Sequence, residues 1–185
     1  MKKPIKTFAK AVEGMSVALV GNATSIFESK HGSRIEACDV VIRMNAGVVK
    51  DAVSQGSRTD VLVTSIPLPA NQILENFSPS VLVWATSKRG AIPSNYCQQS
   101  FDFCLHPKWI WLGLRLQIGS RPSTGAIIAN YLSRWCLPSR VFTFGFDHFK
   151  TKTFYESRDD IGPHSAHGEE LFFAKLYDSG KFVKE

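Results

Sequence analysis

Two short apolar runs, each followed closely by an asparagine, constrain this chain more than any other feature. The first, Val17 to Val20, breaks abruptly into Gly21-Asn22-Ala23-Thr24-Ser25. The second, Val40 to Ile42, ends just before Asn45. Short apolar runs bounded by turn residues read as buried strands. Each strand then delivers an Asn from near its carboxyl end. In open α/β sheets ligands bind at those ends, near a topological switch point. The pair reads as half of a nucleotide site.

The rest of the chain repeats the pattern. Ser16 to Val20, Cys38 to Arg43, Val61 to Ser65, Val81 to Ala85 and Val141 to Phe146 read as strands, with a further candidate at Phe101 to Leu105. Short helical pieces are expected between Thr24 and Ala37, a helix from Ala70 to Phe77, and a last helix from Ser165 or Gly168 to Tyr177. Gly47 to Thr59 and Asp147 to Pro163 read as loops. Trp109 to Leu114 reads as a helix or as an apolar wall over a cleft. Strands alternating with helices predict an α/β fold with a mostly parallel sheet. No repeat or domain boundary interrupts it, so residues 1–185 are expected to form one domain.

Composition narrows the partners. A net charge of +6 favours an anionic ligand, a nucleotide, an acidic glycan or an anionic membrane surface. No basic run or aromatic-basic alternation points to nucleic acid. No apolar run approaches the ~20 residues of a membrane helix, and the basic N-terminus lacks a signal-peptide pattern. Cys38, Cys97, Cys104 and Cys136 form no CxxC pair and no zinc spacing. Cys38 and Cys136 read as buried thiols, while spacing leaves a Cys97–Cys104 disulfide open. A reducing cytoplasm is the expected compartment.

Four constellations carry candidate chemistry. Gly21 and Asn22 with Asn45 combine a residue free to take positive φ with amides able to hold a phosphate or ribose, although Gly-Asn after a strand is also an ordinary turn. Ser123-Thr124-Gly125 opens a helix that runs through Trp135. Free N–H groups there make an anion site, or Ser123 is a plain N-cap. His164 and His167 lie near Glu169 and Glu170. A His that titrates near neutrality suits a general base, and a carboxylate one turn away would orient it. Tyr155, within Phe154-Tyr155-Glu156, is placed to donate to a leaving phosphate or simply to lie on the surface. Trp109 and Trp111 would stack on a sugar or pack. The metal-binding Asp-x-Asp of many nucleotide-sugar transferases is missing, as are GxGxxG and the P-loop pattern.

In order along the chain, these stretches resemble the sialyl motifs of the animal-type sialyltransferases, glycosyltransferase family 29. Val17 to Ser65 resembles the large motif through Val-Ala-Leu-Val-Gly-Asn, Cys-Asp-Val-Val-Ile-Arg-Met-Asn and Gly-Ser-Arg-Thr-Asp. Arg121 to Asp147 resembles the small motif through Pro-Ser-Thr-Gly and Val-Phe-Thr-Phe-Gly-Phe-Asp. Phe154-Tyr155-Glu156 stands where the third motif belongs, with Thr153 in place of its leading His. His164, four intervening residues and Glu169 match the very small motif.

The resemblance implies a single Rossmann-like domain of the GT-A-like type. It implies an inverting, metal-independent transfer from a CMP-sugar to a glycan hydroxyl, with no cofactor beyond that donor. Gly21, Asn22 and Asn45 would then contact CMP, and Ser123, Thr124 and Gly125 the nucleotide and donor carboxylate. Tyr155 would assist the leaving phosphate and His164 would be the base. His167, Glu169, Thr64 and Ser65 are further candidates. CMP-sialic acid is the leading donor, with CMP-Kdo acting on lipopolysaccharide core as the alternative. A non-catalytic CMP-sugar-binding module is the second alternative. The acceptor would be a glycan, such as a lipooligosaccharide. Secreted relatives bridge a Cys at the start of the large motif to one in the small motif. Here Val17 stands first while Cys136 matches the second. The expected enzyme is therefore bacterial or phage-type and cytoplasmic, with at most peripheral contact with an inner membrane.

Overall fold

A computed structural model describes residues 2–155 and 162–185. One eight-stranded sheet organises them, every pairing parallel. Its strands are β1 (Lys2–Lys3), β2 (Ser16–Val20), β3 (Val40–Met44), β4 (Val61–Thr64), β5 (Val81–Trp84), β6 (Asp102–Leu105), β7 (Arg140–Phe144) and β8 (Phe182–Lys184). The spatial order is β1-β6-β5-β4-β3-β2-β7-β8. From β2 the chain steps outward through β3, β4, β5 and β6, then returns across the sheet to place β7 on the other side of β2. The switch point therefore lies between β2 and β7, with Val17 opposite Val141 and Val20 opposite Phe144.

The α-helices are α1 (Lys6–Ala11), α2 (Gly32–Glu36), α3 (Ala52–Gln55), α4 (Ala70–Asn76), α5 (Lys108–Ile118), α6 (Thr124–Trp135) and α7 (Ala166–Asp178). Adjacent strand residues point to opposite faces. Val17, Leu19, Val40 and Ile42 join one core with residues of α1, α5, α6 and α7. Ala18, Val20 and Val41 join a second core with Ile26 and Ile35. Leu62, Leu82 and Phe103 pack with Ile73 of α4 on a third. Burial on both faces is why these strands read as unbroken apolar runs. Among the described residues no helix is long and apolar enough to cross a membrane.

One loop expectation changes, and one pairing left open by the sequence is decided. Gly47 to Thr59 holds the short helix α3, capped by Asp51, whose carboxylate accepts from Val53 N–H at 3.0 Å. The Cys97–Cys104 bridge does not form. No disulfide joins them, with Cys97 exposed and Cys104 buried. Cys38 and Cys136 are buried, as their apolar flanks imply.

Candidate active site

The carboxyl ends of β2, β3 and β7 surround a cleft of about 420 Å³. Gly21 and Asn22 follow β2, Asn45 follows β3, and residues Gly145–Thr153 follow β7. Ser123, Thr124 and Gly125 enter from the start of α6, and Tyr155, His164 and Glu169 complete the lining. Residues from all four sequence constellations thus meet in one place, though His167 and Glu170 do not line it.

Gly21 is needed for closeness, not for positive φ. Its N–H donates to Phe144 O at 2.7 Å, and a Cβ there would stand 2.3 Å from the Gly145 carbonyl oxygen. The left-handed positions at the rim are instead Asn45 (φ 51), Gly145 (φ 65), His148 (φ 58) and Phe149 (φ 65). Asn is among the few residues that tolerate that region. Asn22 ties β2 to β3, its side-chain amide donating to Met44 O at 3.0 Å. Asn45 accepts from Ser65 N–H at 2.9 Å and donates to Thr124 Oγ1 at 3.2 Å, and Thr124 Oγ1 donates to Ser65 Oγ at 2.8 Å. Thr64 Oγ1 instead donates to Ile66 O at 2.7 Å. Ser65 and Thr64 therefore brace the wall from outside, and the ends of β3, β4 and α6 share one hydrogen-bonded knot.

The start of α6 leaves N–H groups open to the cleft, a chemistry that suits an anion. Ser123 Oγ accepts from Ala126 N–H at 3.1 Å, the N-cap expected from sequence. Ser123 N–H donates to Glu169 Oε1 at 2.6 Å and its hydroxyl to Oε2 at 2.7 Å. A helix leaves its first four N–H groups without internal partners. Two are thus satisfied, and those of Thr124 and Gly125 have no acceptor among the described residues. Both residues line the cleft. Gly125 makes room for a side chain. A Cβ there would stand 2.6 Å from the Phe146 ring, so its smallness serves packing.

Glu169 is not the group that orients His164. It is 3% exposed, and burial pushes its carboxyl up to about 7 against the downward pull of the two Ser123 bonds. His164 is held by backbone: Nδ1 lies 2.7 Å from Arg121 O. A carbonyl only accepts, so Nδ1 donates to it, and in the neutral ring the lone pair is on Nε2. Phe149 stacks on the ring at 5.7 Å between centroids. Two of the five histidines line the cleft, His164 and His148, whereas His167 is exposed outside it. His148 packs against Phe173, and burial lowers its pKa.

The 145–153 loop is the part of the wall that sequence reasoning read only as a connection. Asp147 fixes it by accepting from Ser25 Oγ at 3.1 Å and Thr151 N–H at 3.0 Å. The loop brings Lys150 and Lys152 to the cleft. Phe154 N–H donates to Asn22 O at 3.0 Å, anchoring Tyr155 beside the β2 end. Glu156 lies outside the described residues. Trp109 and Trp111 do not line the cleft. Trp109 pairs with Trp135 and Trp111 packs against the main core. Among the described residues no group of three or more His, Cys, Asp or Glu is placed to hold a metal ion.

Comparisons with known proteins bear on the sequence pattern and the fold. Residues 7–88 match the model of glycosyltransferase family 29 (sialyltransferase). No curated protein matches the sequence. A mammalian sialyltransferase structure is similar at a TM-score of 0.67 and 18% identity, over 92% of this chain and 68% of that one. Another, solved with Gal-beta-1-3GalNAc-ortho-nitrophenol, gives 0.65 and 19% over 96% and 71%. CstII from Campylobacter jejuni, solved with cytidine-5'-monophosphate, gives 0.64 and 12% over 93% and 80%. At these identities the structures speak for the fold. Residues 7–88 thus carry the pattern of that family, and the parallel-sheet domain has the fold of the sialyltransferases solved.

Proposed function

We propose that the protein transfers sialic acid from CMP-sialic acid to a glycan hydroxyl, with inversion and without a metal ion. The observation that carries this reading is the pairing, across one cleft, of His164 with the open N–H groups of Thr124 and Gly125. The first is a base with its lone pair on Nε2; the second is an anion site at a helix start.

In this reading Nε2 of His164 takes the proton of the acceptor hydroxyl as its oxygen bonds the anomeric carbon. The bond from that carbon to the CMP phosphate breaks on the opposite face, and the electron pair leaves with the phosphate. The Tyr155 hydroxyl and the two helix N–H groups receive the developing charge. Lys150 and Lys152 add positive potential to the same wall. Asn22 and Asn45 hold the nucleotide end. Relatives in this fold have been solved with a glycan and with CMP, which suits a CMP-sugar donor and a glycan acceptor here. A lipooligosaccharide is the acceptor class we favour, with the cytoplasm as compartment.

The test is a donor screen by mass spectrometry on truncated lipooligosaccharide. A mass gain with CMP-Neu5Ac supports the reading. A gain only with CMP-Kdo overturns the sugar and keeps the chemistry. CMP binding without a gain from either donor overturns transfer. Activity that disappears with EDTA overturns metal independence.

A further inference from the structure

Helix α5 packs on the sheet through Ile110, Leu114 and Ile118. Its other face carries Trp109, Leu112 and Leu116, which are 66%, 51% and 76% exposed. Steps of three and four residues put them in one stripe. The stripe continues onto neighbouring elements. Trp109 meets Trp135, at the end of α6, edge-on at 5.5 Å, and Leu137 two residues later is also exposed. Leu137 O accepts from Gly14 N–H, and Met15 O accepts from Ser139 N–H. Exposed Met15 therefore borders the same patch.

Cations frame it. Lys108, Arg115 and Arg134 are exposed, and none pairs with a carboxylate among the described residues. Arg115 lies over the Trp111 ring and Arg134 donates to Gln117 Oε1 at 3.3 Å. From Phe103 to Phe146 the sequence holds Lys108, Arg115, Arg121, Arg134 and Arg140 but no Asp or Glu. Monomeric soluble proteins rarely leave such a contiguous apolar surface uncovered. Two copies packed face to face would bring their cations together, which opposes self-association. Lipid phosphates would neutralise them. Lys and Arg stems can lie along apolar surface while their heads reach a headgroup, and Trp favours the membrane–water boundary.

We propose that this face of α5, with Trp135 and Leu137, docks on the surface of an anionic lipid bilayer. The helix lies in the interface with its apolar stripe among the headgroups and acyl boundary, as amphipathic helices with cationic flanks do. α5 begins just after β6 and ends five residues before Ser123, so the docked surface adjoins the segment that builds the cleft. The inference is independent of the transfer reaction, and its test reads binding alone.

The test is co-sedimentation of the full chain with vesicles of phosphatidylcholine alone or mixed with phosphatidylglycerol. The expected result is binding to the mixed vesicles at least about tenfold tighter than to the neutral ones, weakened by salt. Tryptophan emission should shift to the blue on binding. Leu112→Glu/Leu116→Glu and Lys108→Glu/Arg134→Glu should each lose most of the binding. Their folding is checked by circular dichroism and by retained CMP affinity. Absent binding to either vesicle overturns the proposal, as does equal binding to both. So does self-association of the wild type that Leu116→Glu abolishes without any vesicle binding. Vesicle binding that survives both double variants overturns the assignment to this face.

Discussion

The carboxylate of Glu169 accepts the backbone N–H and the hydroxyl of Ser123 together, at 2.6 and 2.7 Å. One side chain of α7 thereby fixes the residue that caps the helix facing the cleft. Its burial adds a consequence, because the carboxyl is pushed up to about 7. It ionises close to neutrality while lying beside two N–H groups that suit an anion.

Proton linkage follows. The folded state holds this proton more tightly than the unfolded chain does. Its contribution to stability is thus fullest below the ordinary carboxylate range and is lost as pH rises through about 7. An ionised Glu169 also repels a phosphate at the α6 start, so CMP affinity should fall over the same upper range. Glu169→Gln removes the titration and should flatten both profiles. Glu169→Ala leaves Ser123 without its partner and should cost about 1–3 kcal/mol. Calorimetry of CMP binding and thermal melts across pH check the three statements together.

His164 is the clearest catalytic test. His164→Ala should lower the transfer rate by about 10²–10⁴-fold, the usual contribution of a positioned general base. CMP affinity should stay near wild type, because the ring's identified hydrogen bond goes to Arg121 O, away from the nucleotide groups. His167→Ala, at an exposed position outside the cleft, should leave the rate unchanged. Rates for the two variants on one acceptor decide between the histidines. A His164→Ala enzyme with full activity would remove it as the base.

Gly21 and Gly113 should respond in opposite directions to the same substitution. At Gly21 a new Cβ meets the Gly145 carbonyl oxygen at 2.3 Å and must force β2 and β7 apart. Gly21→Ala should cost about 1–3 kcal/mol and weaken CMP binding. At Gly113, inside α5, a Cβ has nothing within 4 Å. Gly113→Ala should therefore stabilise by about 0.5–1 kcal/mol through helix propensity. Denaturant titration of both variants gives the sign directly.

The strands that are buried on both faces are the part of the fold legible in the sequence, because burial writes itself as short apolar runs. β1 and β8 left no such trace. They are edge strands of two and three residues, and Lys2-Lys3 carries no apolar pattern at all. The site was legible wherever a residue type has a local reason to be there, as with Ser123 capping α6 or Asn45 at a strand end. Roles set by distant packing were not. Glu169 looked one helical turn from His164, yet its oxygens reach Ser123, 46 residues back in sequence. The wall formed by residues 145–153 depends on consecutive left-handed residues, His148 and Phe149, neither of which announces that conformation.

Arg43 gives a prediction about stability, not about the cleft. It stands in β3, two residues before Asn45, but is only 1% exposed and turns away from the cleft. Its guanidinium donates to Arg58 O at 3.0 Å, Thr59 Oγ1 at 3.1 Å and Gln55 O at 2.9 Å, pinning the segment after α3 to the sheet. Burial lowers its pKa to about 10, with Glu36 and Asp60 pulling it back up, so it stays charged at neutral pH. Arg43→Lys keeps a cation but loses the planar fork that meets three acceptors, and Arg43→Ala leaves all three unmatched. The expected losses are about 1–2 and 3–5 kcal/mol, read as shifts in denaturant midpoint. CMP affinity, measured where both variants remain folded, should change far less than for Gly21→Ala, because the Arg43 contacts end in the 55–59 segment and not at the cleft.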